Sequence, residues 1–135
     1  MTEDNRRQNL AAELRKGEQS LRAAQALLGL GLWDDAVSRA YYAALHFVRA
    51  VLFSAGLEPK SHAGAHNLLY MSFVRPGLLS QDLASRFAAL QKYREQADYA
   101  AELSLDEAGA RAEVGQAAEL CRSLGAWLAE RGFRG

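Results

Sequence analysis

Residues 32–56, LWDDAVSRAYYAALHFVRAVLFSAG, constrain this chain more than any other stretch. Val37, Tyr41, Leu45, Val48 and Leu52 recur at helical spacing as one apolar stripe, and Trp33, Ala40, Ala44, Phe47 and Val51 form a second. A helix that is apolar on more than half of its circumference has to be covered on several sides. It belongs in the middle of a bundle or against a second subunit. Asp34 and Asp35 suit the positive end of its dipole, and Gly56 closes it before the loop LEPKS.

The other segments read as covering helices. Leu10, Leu14, Gly17, Leu21, Ala24 and Leu28 are spaced 4, 3, 4, 3, 4, which predicts a long first helix stopped by Gly29 and Gly31. Residues 61–75 predict a short helical segment ended by Pro76-Gly77. Ser80 is a plausible N-cap for a helix carrying Leu83, Phe87, Leu90, Tyr93 and Ala97 as far as about Leu103. Ser104 or Asp106 can cap a last helix in which Val114, Ala117, Cys121, Leu124 and Leu128 recur at 3, 4, 3, 4. Neither strand alternation nor a long repeat is visible, and a 50% apolar share over 135 residues fills one core. The expectation is an all-α chain of four to five helices forming a single domain over residues 1–135.

Sixteen basic residues cancel sixteen acidic ones, so no global field holds nucleic acid or an anionic membrane, and any RNA contact has to be local. Cys121 is the sole cysteine and cannot form an internal disulfide. The polar start MTEDNRRQNL offers no signal peptide or membrane span, so a cytoplasmic location is expected.

Arg39, Tyr42, His46 and Arg49 fall at i, i+3, i+7 and i+10 of the second helix, a polar ridge between its apolar stripes. A histidine between arginines suits metal-free phosphodiester cleavage: imidazole moves a proton and guanidinium groups neutralise charge on the phosphorus oxygens. The same groups also serve simply to satisfy carboxylates or carbonyls of neighbouring helices. On either reading Arg39 and Tyr42 are expected to be partly buried and bonded to Asp98 or another carboxylate, because an arginine in a central helix needs acceptors. His62 and His66 have the i, i+4 spacing of a zinc chelate, but Glu58 is the only carboxylate nearby, so no metal site and no cofactor are expected. With Lys60 these histidines could instead meet a phosphate at a helix start, or His62 could be an ordinary helix-start residue. Arg94 and Asp98 are placed to pair on a helix surface flanked by Tyr93 and Tyr99, a plausible edge for stacking a nucleotide beside Lys92. Cys121 reads as a small core residue, not a nucleophile.

The run SRAYYAALHFVRAVLFSAG at 38–56, PKSHAG at 59–64, FVRPG at 73–77 and YREQADY at 93–99 resembles, in content and order, the HEPN superfamily (higher eukaryote and prokaryote nucleotide-binding domains), and within it a small stand-alone prokaryotic branch. The resemblance implies an up-and-down bundle of four to five helices that dimerises. It also implies pairing with a minimal nucleotidyltransferase as toxin and antitoxin, the HEPN chain being the toxin. Catalytic members are metal-independent endoribonucleases marked by an arginine and a histidine with four to six residues between them. Here four residues separate Arg94 from Tyr99, which stands where that histidine is expected, whereas Arg39 and His46 have the spacing on an earlier helix.

Three readings follow. One is an RNase toxin using His46, or a histidine of the 62–66 segment, with Arg39 or Arg94. Another is a binding module that engages a nucleotidyltransferase or a nucleotide through Tyr42, Lys60, His62, Arg94, Asp98 and Tyr99. The last is a structural dimer whose polar ridge only specifies packing. A homodimer is expected on all three, because the second helix carries more apolar surface than one small core obviously absorbs and Trp33, Phe47, Trp127 and Phe133 need burial.

Overall fold

The protein is described by a computed structural model over residues 2–99 and 105–134. Among these residues it forms five α-helices: α1 Glu3–Gly29, α2 Trp33–Ser54, α3 His62–Leu69, α4 Gln81–Tyr99 and α5 Glu107–Glu130, with a π-helical turn, Tyr70–Val74, directly after α3. They make an all-α, up-and-down bundle in which α2 packs against α1, α3, α4 and α5.

Local chemistry sets the helix ends. Thr2 caps α1 by accepting a hydrogen bond from the Asn5 N–H at 3.1 Å. Glu3 and Asp4 follow at the positive end of the dipole. Gly29 stays inside the helix; the chain turns at Gly31, whose φ of 76° is the left-handed conformation that glycine adopts without steric cost. Ser80 accepts from the Leu83 N–H at 3.3 Å and Asp106 from the Gly109 N–H at 2.7 Å, as the capping pattern predicts. The expected run of α4 to Leu103 and the alternative cap Ser104 lie outside the described residues. The short segment over 61–75 is helical but changes pitch. Ser61 caps α3, and then the Arg75 N–H donates to the Tyr70 carbonyl five residues back at 2.8 Å. Pro76, which has no N–H, ends the helix there.

The apolar surplus of α2 is absorbed within the chain, which corrects the ground on which a dimer was expected. Ala36, Val37, Ala40, Tyr41, Ala44, Val48, Val51 and Leu52 are sealed by the other helices. Phe47 is buried, with its ring beside Gly17 of α1 and Gly125 of α5. Trp33, Trp127 and Phe133 are half-buried against the core. Large apolar side chains remain exposed at the α1–α2 turn (Leu30, Leu32), around the π turn (Tyr70, Met71, Leu78) and on α4 (Tyr93, Tyr99). No helix among the described residues is long and apolar enough to cross a membrane.

Candidate functional site

Two polar clusters grow out of the exposed edge of α2. In the first, Tyr41 and Tyr42 present their rings to α4, and the Arg94 guanidinium sits over them at 5.1 and 5.8 Å from the ring centroids. Arg94 is not the surface residue that its spacing suggested: it is 7% exposed, with Nη1 donating to Asp98 Oδ2 at 3.0 Å and Nε sealed without an acceptor. Burial works against its charge, but hydrogen bonds to Tyr99 and Asp98 outweigh burial and hold its pKa above the ordinary value. Tyr99 is itself exposed. With Lys92, Arg94, Glu95 and Gln96 it lines a shallow groove of about 680 Å³.

His62, the first residue of α3, meets Tyr42 edge-on at 5.9 Å and brings Nδ1 within 3.5 Å of the Tyr41 hydroxyl. Burial, then the charges of Arg94 and Arg49, push its pKa below the usual histidine range, so the ring is neutral at pH 7. Burial also raises the Tyr41 phenol to about 12 and keeps it protonated. His66 does not join His62 as the second arm of a chelate. Its ring stacks on Phe87 at 3.9 Å with Nε2 sealed and unpartnered, and burial followed by the proximity of His62 lowers its pKa to about 4. Among the described residues no group of three or more potential metal ligands converges.

The second cluster was hidden in the sequence. Glu13 of α1 is buried, and its carboxylate forks between two residues of the ridge: Oε2 lies 2.6 Å from His46 Nδ1, and Oε1 accepts from Arg49 Nε at 3.2 Å. Burial raises the pKa of Glu13, yet the His46 hydrogen bond and the Arg49 charge together more than reverse this and leave it lowered. Glu13 was discoverable, since Leu10, Glu13, Leu14 and Gly17 fall at i, i+3, i+4 and i+7, which puts a carboxylate on the core-facing stripe of α1.

The ridge is therefore divided. His46 and Arg49 turn to α1, Tyr42 turns to α4 and α3, and Arg39 corrects the expectation placed on it. Arg39 is exposed, its guanidinium lies 5.3 Å over the Tyr42 ring, and it has no carboxylate partner among the described residues. Near the end of the bundle an arginine side chain reaches water without leaving its helix, so burial is avoided instead of compensated. Tyr42 is half-buried as expected, but among the described residues Asp98 pairs with Arg94 and no hydrogen bond joins Tyr42 to a carboxylate. Lys60 is exposed in the loop before α3. His62 feels the charges of both clusters, through Arg94 and Arg49. Cys121 sits in the core with its thiol pushed up to about 12 by burial, and is inert.

Comparison with known proteins places the chain in a family. The chain is 33% identical over 101 residues to "Putative toxin MJ0605" of Methanocaldococcus jannaschii, covering 75% of each. It is 32% identical over 92 residues to "Putative toxin MJ0142" of the same organism, a match that takes in 68% of this chain and 63% of that one, a little under two thirds of its length. The crystal structure of TT1696 from Thermus thermophilus superposes with a TM-score of 0.69 over 90% of this chain and 96% of that one; at 24% identity this is a likeness of fold. Residues 11–131 match the model of the HEPN domain, and with those relatives and that shared bundle the chain belongs to the HEPN family.

Proposed function

We propose that the protein is the toxin-side component of a toxin–antitoxin-type pair. On this reading one HEPN unit over residues 1–135 acts as a homodimer and engages a minimal nucleotidyltransferase or a nucleotide through the face around Arg94. The toxin role rests on the family and on the names of the two archaeal relatives. The observation that carries the binding role is the guanidinium of Arg94, held against two tyrosine rings and Asp98 at the edge of a groove that also offers Lys92 and the exposed Tyr99. A rigid cation beside an exposed aromatic ring suits a phosphate and its base, and a local site of this kind is what a chain of zero net charge requires. On this reading Tyr42, over whose ring Arg94 lies, and His62, edge-on to Tyr42, extend the same face, with Lys60 exposed in the loop before α3. Arg94→Ala is expected to weaken binding of ATP, or of a minimal nucleotidyltransferase where one is encoded beside this chain, by about tenfold or more by calorimetry. Unchanged affinity in a folded variant rejects this site.

A second reading, a metal-independent endoribonuclease, is favoured by the contact between Glu13 and His46. His46 would take the proton of a ribose 2′-hydroxyl while the 2′-oxygen bonds to phosphorus and the 5′-oxygen leaves, collecting a proton in turn. The products are a 2′,3′-cyclic phosphate and a 5′-hydroxyl end. Arg39 or Arg94 would neutralise the phosphorane. Labelled single-stranded RNA incubated with excess protein in EDTA decides it: cleavage lost in His46→Ala supports the nuclease, and no product removes it.

A further inference from the structure

The carboxylate of Glu13 does more than neutralise Arg49. Its side chain is 9% exposed and its two oxygens are assigned to different donors, one to His46 and one to Arg49. An ionised carboxylate can only accept hydrogen bonds, so at 2.6 Å the proton between Glu13 and His46 belongs to Nδ1 of the ring. In the neutral ring Nε2 then carries the lone pair. No hydrogen bond to it is found among the described residues, and the His46 side chain is 24% exposed. Arg49, stacked over Phe53 at 5.5 Å, holds the second oxygen and keeps the carboxylate from rotating away.

We propose that Glu13 is the positioning residue of His46, fixing its Nδ1–H tautomer and ring orientation so that Nε2 is the proton-accepting atom at the site. Free imidazole side chains favour the opposite tautomer, with the proton on Nε2, so the device has a measurable signature. Its catalytic meaning rests on the ribonuclease reading, whereas the tautomer does not.

The test is 15N NMR of the histidine rings in the full chain at a pH where His46 is neutral, assigned with His46→Gln. Wild type is expected to show a protonated Nδ1 and a bare Nε2. Glu13→Gln, which offers one acceptor where two donors compete, is expected to give a mixture, and Glu13→Ala to favour Nε2–H. Glu13→Asp, which restores the charge, is expected to return toward wild type. A protonated Nε2 in wild type, or a wild-type pattern in folded Glu13→Gln and Glu13→Ala, overturns the assignment. If the wild type cleaves RNA in EDTA, Glu13→Gln is expected to lower kcat by about tenfold or more with KM within about twofold, and Glu13→Asp to recover part of it. Wild-type kcat in Glu13→Gln also overturns the proposal. The expected tautomer without cleavage in any variant supports the role of Glu13 and removes the ribonuclease reading alone.

Discussion

Single side chains in this bundle handle charge in two ways, and their response to acid follows from which is used. Glu13 and Arg94 stay ionised inside because each has opposite charge or hydrogen bonds within reach. His66 has no hydrogen-bond partner for Nε2, and burial with the nearby His62 outweighs the opposing charge of Glu95, so it stays neutral by a pKa lowered from 6.5 to about 4. In the unfolded chain it takes up its proton near 6.5 and in the folded chain only near 4, so between those values the unfolded state binds more protons and stability falls as pH falls. That window is worth up to about 3 kcal/mol, with His62 adding in the same direction. Glu13 acts lower: its contribution is full above the ordinary carboxylate value of 4.5 and is lost as pH drops below it. Urea denaturation at pH 7 and pH 4.5 is expected to show the His66 loss in wild type and most of it removed in His66→Phe, whose ring can keep the stack on Phe87. An unchanged pH slope in that variant would place the acid sensitivity elsewhere.

At the scale of elements, the three-way junction of α1, α2 and α5 is set by one ring and two missing side chains. Phe47 occupies the space beside Gly17, where a Cβ would fall 2.6 Å from the ring, and beside Gly125, where it would fall 3.3 Å away. Gly17→Ala gains about 1 kcal/mol of helix propensity but forces the ring to move, an overpacking cost of about 1–3 kcal/mol. Net destabilisation is expected, measured as a lower denaturation midpoint, and Phe47→Leu in the same chain is expected to relieve part of it. Gly115 on α5 is the control, since nothing lies within 4 Å of its Cβ position. Gly115→Ala is expected to stabilise by up to about 1 kcal/mol. Equal effects at the two glycines would mean that propensity and not the Phe47 contact dominates.

For the whole molecule, the bundle buries its central helix without help, so a partner must be held by the surface left over. Exposed Leu30 and Leu32, the Tyr70–Met71–Leu78 patch, and Tyr93 and Tyr99 on α4 are the apolar groups available for it. A homodimer is expected in solution. Light scattering at micromolar concentration should then return twice the chain mass of 14.8 kDa, and a single-chain mass would remove the dimer from the proposed function.

What the sequence determined alone was whatever depends on neighbours along the chain. Apolar positions three and four apart marked α1, α2, α4 and α5, and Ser80, with Asp106 as one of two candidates, marked helix starts, because a capping bond closes within a single turn. The HEPN pattern was legible in the same way, in the order of short motifs along 38–99. The pitch change at Tyr70–Val74 was not, since a single π turn is rare and the side-chain pattern that marks it as helix is that of an ordinary one. Nor was the site itself. Helical spacing put Arg39, Tyr42, His46 and Arg49 on one face, but a face does not say which helix it meets. The way the helices pack around α2 decided that Glu13 reaches His46, that Arg94 is buried on the tyrosine rings, and that Arg39 is left in water. A charged side chain is governed by the atoms within about 4 Å of it, and in a bundle those atoms come from other helices, distant in sequence.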